Sequence, residues 1–169
     1  MYKKIIGIIL LLTVSTIFLV TGFGFKKTFT SEKYGMQIDV PLTWSVAEAS
    51  KSDYPNVLEA QPYLFSFYNS FAFWMGRSVT KSILVYPDNT MYPIKNLDDL
   101  KKDVENLRKI VKQDTGIEIR NVNGMDYIWE KYKSSELPNA MEISYFITPT
   151  GMYQYVGGDL KDLNLKLIK

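Results

Sequence analysis

From Ile5 to Phe25 the chain runs 21 residues without a charged side chain, including IIGIILLLTVSTIFLV, with Lys3 and Lys4 ahead of it and Lys26 and Lys27 behind it. About 20 apolar residues cross a hydrocarbon core roughly 30 Å thick as a helix. A charged tip followed by an apolar run is also how a secretory signal is built. Either way the segment is directed to a membrane, and about 140 of the 169 residues remain, enough for one domain with its own core and too few for two.

Two outcomes for that segment stay open. Small residues offer cleavage sites after Gly22 and after Gly24, whereas Val20-Thr21-Gly22-Phe23 has the shape of a lipobox with Phe where the lipid-accepting Cys would stand, which favours a retained helix. Lys3 and Lys4 argue for a cytoplasmic N-terminus, and Lys26 and Lys27 oppose them. The expected layout is a signal peptide or membrane anchor over 1–25, a polar linker over 26–33 and a domain over 34–169. That domain is expected outside the cytoplasm, at the cell membrane if the N-terminal helix is kept and secreted if it is cut.

Several function classes are closed by residue type. The chain has no Cys and no His, which removes disulfides, thiol nucleophiles, thiolate metal sites and the Ser-His-Asp triad. Its 20 Lys and Arg stand against 18 Asp and Glu, and without Lys3 and Lys4 the balance is 18 to 18. A neutral domain lacks the basic face that neutralises several phosphates, so no nucleic-acid partner is expected. No cofactor and no metal are expected either.

Within the exported part, Met36, Ile38 and Val40 alternate with Gln37 and Asp39, the period of a half-buried strand that Pro41 ends. Ser45 to Glu48 begins a second strand, and Tyr63 to Trp74 and Ser78 to Tyr86 two more. Asn96 caps a helix in which Leu97, Leu100, Val104, Leu107 and Val111 form one apolar stripe, with Asp98 and Asp99 in the first turn and Lys109 and Lys112 in the last. Asn123-Gly124 between alternating runs marks a hairpin joining Ile117–Val122 to Met125–Tyr132. Strands Met141–Thr148 and Met152–Val156 follow, and Leu160, Leu163 and Leu167 fall on one face of a short C-terminal helix. The expected class is α+β, an antiparallel sheet packed by one long amphipathic helix and a short final one.

The stretch Tyr34-Gly35-Met36-Gln37-Ile38-Asp39-Val40-Pro41-Leu42-Thr43-Trp44 resembles the opening of PsbP-like domains, in which a Tyr-Gly pair leads into an alternating strand, then Pro and Trp. The later order of helix, strand, Asn-Gly turn and closing strands is similar too, so the resemblance covers about Tyr34 to Val156. It implies an α-β-α sandwich around a curved antiparallel sheet, and, from the photosynthetic members, an extrinsic protein docking on a membrane complex. No functional residue is carried over from it.

Tyr63 to Trp74 reads YLFSFYNSFAFW, seven aromatics in twelve residues. Tyr63, Tyr68 and Trp74 form a candidate binding surface for a sugar, a peptide or a membrane, since such rings join apolar area to a polar tip. The alternating Phe65, Phe67, Phe71 and Phe73 read as core. Asp98, Asp99, Asp103, Glu105, Glu130, Glu136 and Glu142 read as a solvated face rather than paired catalytic carboxylates. Gly157-Gly158 lacks the remaining spacing of a phosphate loop, and Ser66 and Ser82 have no histidine to activate them.

The expected function is therefore a non-catalytic, membrane-tethered module that binds another extracytoplasmic protein. The alternative is a binding module for wall glycan or a small apolar ligand. A carboxylate-dependent hydrolase is the third reading.

Overall fold

The alternation at Met36, Ile38 and Val40 is matched by a strand whose three apolar side chains are all but fully buried and whose polar neighbours are half-exposed. Burying each contributes about 1.5–3 kcal/mol, which fixes which face of the strand turns inward. The computed structural model describes residues 25–48, 63–69, 80–86, 93–110, 116–132 and 141–168. Its strands are β1 (Lys26–Ser31), β2 (Met36–Pro41), β3 (Trp44–Glu48), β4 (Tyr63–Asn69), β5 (Thr80–Val85), β6 (Gly116–Val122), β7 (Met125–Tyr132), β8 (Met141–Thr148), β9 (Gly151–Val156) and β10 (Lys166–Leu167). One helix, α1 (Leu97–Ile110), stands between β5 and β6.

The strands form two antiparallel sheets, a small one in the order β1-β2-β10 and a large one in the order β3-β4-β5-β9-β8-β7-β6. Met36, Ile38 and Val40 of β2 pack with Ile83, Tyr127, Phe146, Tyr153 and Tyr155 from one face of the large sheet. Leu100 and Val104 of α1 pack with Ile128, Ile143 and Tyr145 from the other face. Because both faces are covered, Ile143, Ser144, Tyr145 and Phe146 of β8 are buried in succession instead of alternating.

This corrects the expected fold class. The layer opposite α1 is a three-stranded sheet, so the described residues are predominantly β with a single α-helix among them and do not form an α-β-α sandwich. The C-terminal helix is replaced by a 3-10 turn, Leu160–Leu163, followed by β10. The cause is local. Asp159 caps the turn by accepting from Lys161 N–H, and Asn164 takes a left-handed conformation (φ 47°) that stops it, after which Leu165 is buried and Leu167 is exposed. Leu160 and Leu163, three apart, suit a 3-10 turn as well as an α-helix.

Lys26–Ser31, read as a linker, is strand β1, paired one-to-one with β2 from Lys26 opposite Pro41 to Ser31 opposite Met36. The signal or transmembrane helix expected over 1–25 falls outside the described residues, apart from Phe25. Among the described residues no helix is long and apolar enough to cross a membrane. Of the apolar stripe expected on α1, Leu100 and Val104 are buried, Leu107 is exposed, and Val111 lies outside the described residues, as does Lys112. The start of the helix follows expectation, with Asn96 Oδ1 accepting from Asp99 N–H at 2.9 Å. So does the β6–β7 hairpin, in which Asn123 (φ 50°) and Gly124 (φ 83°) supply the two positive φ angles of a type I′ turn.

Candidate functional site

Strand β7 carries the chemistry, because its alternation sends neighbouring residues to opposite faces of the large sheet. Ile128 and Glu130 face α1, while Tyr127 and Trp129 face the small sheet. Each face holds one buried carboxylate at the centre of a polar cluster.

On the helix face Glu130 is completely buried. Arg108 of α1 reaches it with both Nε, at 2.8 Å from Oε2, and Nη2, which donates to Oε1. Tyr145 of β8 donates its hydroxyl to the same Oε1 at 2.5 Å, and accepts from Arg108 Nη2 at 2.9 Å. The ring of Tyr86 stands edge-on to Tyr145 at 5.6 Å, and its hydroxyl donates to Asp103 at 2.6 Å. The hydrogen bond to Glu130 holds Arg108 even more firmly protonated than usual, against the opposing effect of burial. Burial pushes the Tyr86 and Tyr145 phenols well above their ordinary value. The solvated face expected for these carboxylates is thereby corrected at Glu130, whose ion pair fastens the helix to the sheet.

On the small-sheet face Asp159 is nearly as buried. It accepts from the Tyr127 hydroxyl, from Arg120 Nη1 and from Lys161 N–H at 3.1 Å, and pairs with Lys161 Nζ at 3.2 Å. Arg120 also forks onto Glu118 with Nε at 2.9 Å and Nη2 at 2.6 Å, and its guanidinium lies 3.5 Å above the centre of the Trp129 ring. Trp129 Nε1 is shut away from solvent with no acceptor among the described residues. Burial is the largest single influence on the Asp159 carboxyl and pushes it up. The bonds from Tyr127, Lys161 and Arg120 together outweigh burial and hold it below the usual value. Burial likewise raises the Tyr127 phenol.

Both carboxylates are held by an arginine and a tyrosine, and the sheet lies between them. The other candidate acids are separately engaged or exposed: Asp98 is exposed, Asp99 accepts from Lys95 N–H, Glu105 pairs with Lys101 at 3.8 Å and Glu142 with Lys131 at 3.2 Å. Glu136 lies outside the described residues. Among the described residues no three Asp or Glu gather into a metal-holding group. Gly158 serves close packing, since a Cβ there would meet Tyr155 Oη at 3.0 Å and Lys81 Nζ at 3.1 Å.

Of the aromatic candidates, Tyr63 and Tyr68 stand in β4, opposite Leu84 and Thr80 of β5, with a register shift between Tyr63 and Phe65. Trp74 lies outside the described residues. Sequence reasoning missed the roles of Arg108, Arg120, Tyr127, Tyr145 and Asp159. One signal was available: Arg108 follows Val104 by four residues, on the same side of the helix as the apolar stripe.

No family model and no curated protein sequence matches the chain. Among solved structures it is similar to the solution structure of cyanobacterial PsbP (CyanoP) from Synechocystis sp. PCC 6803, with 13% identity and a TM-score of 0.47 over 83% of this chain and 85% of that one. A likeness at that level carries no argument about partner or activity.

Proposed function

We propose that this chain is an extracytoplasmic, membrane-tethered domain that docks on another protein and performs no covalent chemistry. The observation that carries the non-catalytic part is the separation of Glu130 and Asp159 on opposite faces of one sheet, each engaged by an arginine and a tyrosine. A carboxylate-dependent hydrolase needs two carboxyl groups about 5–10 Å apart across one cleft, one of them able to give up and regain a proton. These two are held as ion pairs instead.

The tether rests on the uncharged run from Ile5 to Phe25, with Lys3 and Lys4 before it. Strand β1 begins at Lys26, directly after the uncharged run, so a retained run would place the domain at the bilayer surface. Exposed Phe25 and Leu42 support that placement: they sit side by side, Leu42 N–H donating to the Phe25 carbonyl at 2.9 Å, where the chain leaves the run. Such a domain reaches partners that are themselves at the membrane.

The test is fractionation of cells carrying the C-terminally tagged full chain, with intact mass, protease shaving of whole cells and crosslinking. Full mass, recovery with membranes, digestion from outside and a crosslinked membrane protein are expected. A mass beginning near Phe23 or Phe25 in the medium would contradict the tether. Affinity for isolated wall glycan in place of a crosslinked protein would move the assignment to the ligand-binding alternative.

A further inference from the structure

Strand β6 is the last strand of the large sheet, and among the described residues nothing pairs with its outer edge. It runs seven residues in unbroken one-to-one register with β7, from Gly116 opposite Lys131 to Val122 opposite Met125, with no bulge and no proline. Edge strands of this kind invite another strand unless charge, a bulge or proline blocks them. The two charges on β6 are Glu118 and Arg120, of opposite sign and two residues apart on the same face. Ile119 between them faces the other way and is 50% exposed.

The outward-pointing backbone groups follow from the turn. A two-residue type I′ hairpin makes Val122 and Met125 a hydrogen-bonded pair, so Gly116, Glu118, Arg120 and Val122 turn their N–H and C=O toward β7. Ile117, Ile119 and Asn121 therefore turn theirs outward.

We infer that β6 is a homodimerisation edge, at which two copies of this chain pair β6 with β6 antiparallel about a two-fold axis through Ile119. The charges select that register. With Ile119 opposite Ile119 of the second copy, Ile117 falls opposite Asn121, all three outward residues exchange hydrogen bonds, and the whole seven-residue strand is used. Glu118 then stands opposite Arg120 of the second copy, twice over, at the closer non-hydrogen-bonded positions. Moving the axis one residue puts Glu118 opposite Glu118 or Arg120 opposite Arg120, and like charges directly opposite are destabilising. Moving it two residues leaves Glu118 opposite Gly116, or Arg120 opposite Val122, and shortens the pairing. The interface is isologous and closes at two copies, joining two large sheets into one. It is independent of the tether and of the membrane partner.

The absence of cysteine from the chain gives a clean test, with single cysteines introduced into the tagged full chain and mild oxidation in the cells that express it. Ile119→Cys is expected to form a disulfide with itself, since facing Cα atoms in an antiparallel pair stand about 5.5 Å apart, within disulfide reach. Ile117→Cys and Asn121→Cys are expected to link to each other when co-expressed under two tags, and neither to itself. Glu118→Lys, a change at an exposed side chain, is expected to lower the Ile119→Cys dimer yield by roughly tenfold by placing two lysine–arginine contacts in the pair. Only monomer from Ile119→Cys would overturn the inference. So would equal dimer from Leu42→Cys in the turn after β2, or an Ile119→Cys disulfide to a different protein. Loss of this dimer with retention of the crosslinked membrane partner would overturn the edge pairing alone and leave the proposed function standing.

Discussion

The two faces of the large sheet solve one problem, how to keep a carboxylate inside a protein, with different margins. On the helix face Glu130 is sealed, its arginine largely covered and its tyrosine buried. On the small-sheet face Asp159 is nearly as covered, but its arginine is shared with the exposed Glu118 and its second cation, Lys161, is mostly in water. A charge with no access to water must keep every partner, because removing one leaves the other buried and unpaired. A cluster whose outer members reach water can recruit solvent when one of them is lost. The helix face should therefore be the brittle one.

The sharpest way to break that contrast is Glu130→Ala in the full chain, which strands Arg108 against Tyr145. It is expected to cost about 3–5 kcal/mol by urea unfolding, the range for breaking a buried pair from one side. Asp159→Ala, measured the same way, is expected to cost about 1–3 kcal/mol, since Arg120 keeps Glu118 and the ring of Trp129 while Tyr127 loses its acceptor. Equal costs, or the reverse order, would break the comparison.

Titration sharpens it further. Tyr86, Tyr127, Tyr145 and Tyr155 all have phenols raised in the folded state above the ordinary value of 10.0, chiefly by burial. The stability they contribute is fully present below pH 10 and lost above it, as their unfolded forms ionise. Tyrosinate absorbance from these four should appear together with the loss of folded structure rather than before it. Asp159 moves the other way. Its folded value is lowered, so its contribution is present above the ordinary carboxylate value of 3.8 and lost as pH falls through the folded one. Acid unfolding of Asp159→Ala should accordingly show a shallower pH dependence than that of the parent chain.

The smallest effect is expected at Glu118→Gln in the monomer. Glu118 is exposed, and its bond to Arg120 is one of several that Arg120 makes, so the change should cost about 0–1 kcal/mol. A larger loss would mean that the small-sheet cluster depends on its outermost member, contrary to the margin assigned to that face.

The strands and the helix could be read from the chain because their signals are local. Met36, Ile38 and Val40 alternate, Leu100 and Val104 recur at the helical step, and Asn123-Gly124 names its own turn. The second layer could not be read, because its evidence is long-range. Lys26–Ser31 is a polar stretch that becomes a strand through pairing with β2, and the tail adopts β10 against Gln37 and Met36. Leu160 and Leu163 fit two kinds of helix, and Asp159 and Asn164 decided between them. The clusters were harder still. Glu130 lies in a strand that also carries Asp126 and Lys131, and only the arrival of Arg108 from α1, 22 residues away, turns one of those charges inward. Asp159 meets Tyr127 across 32 residues. No short spacing announces either contact.

The central claim is that the buried charges hold the fold and do nothing else. The most direct measurement replaces the helix-face cluster as a unit, with Arg108→Met, Glu130→Leu and Tyr145→Phe together. Urea unfolding and membrane crosslinking of the full chain are then compared with each single change. Each of Arg108→Met and Glu130→Leu alone should be strongly destabilising. The triple variant should recover to within about 1–2 kcal/mol of the parent, as apolar replacements of buried ion pairs do, and should keep the crosslinked partner. A triple variant that folds as stably as the parent but loses that partner would contradict the account, and would make the cluster part of the function.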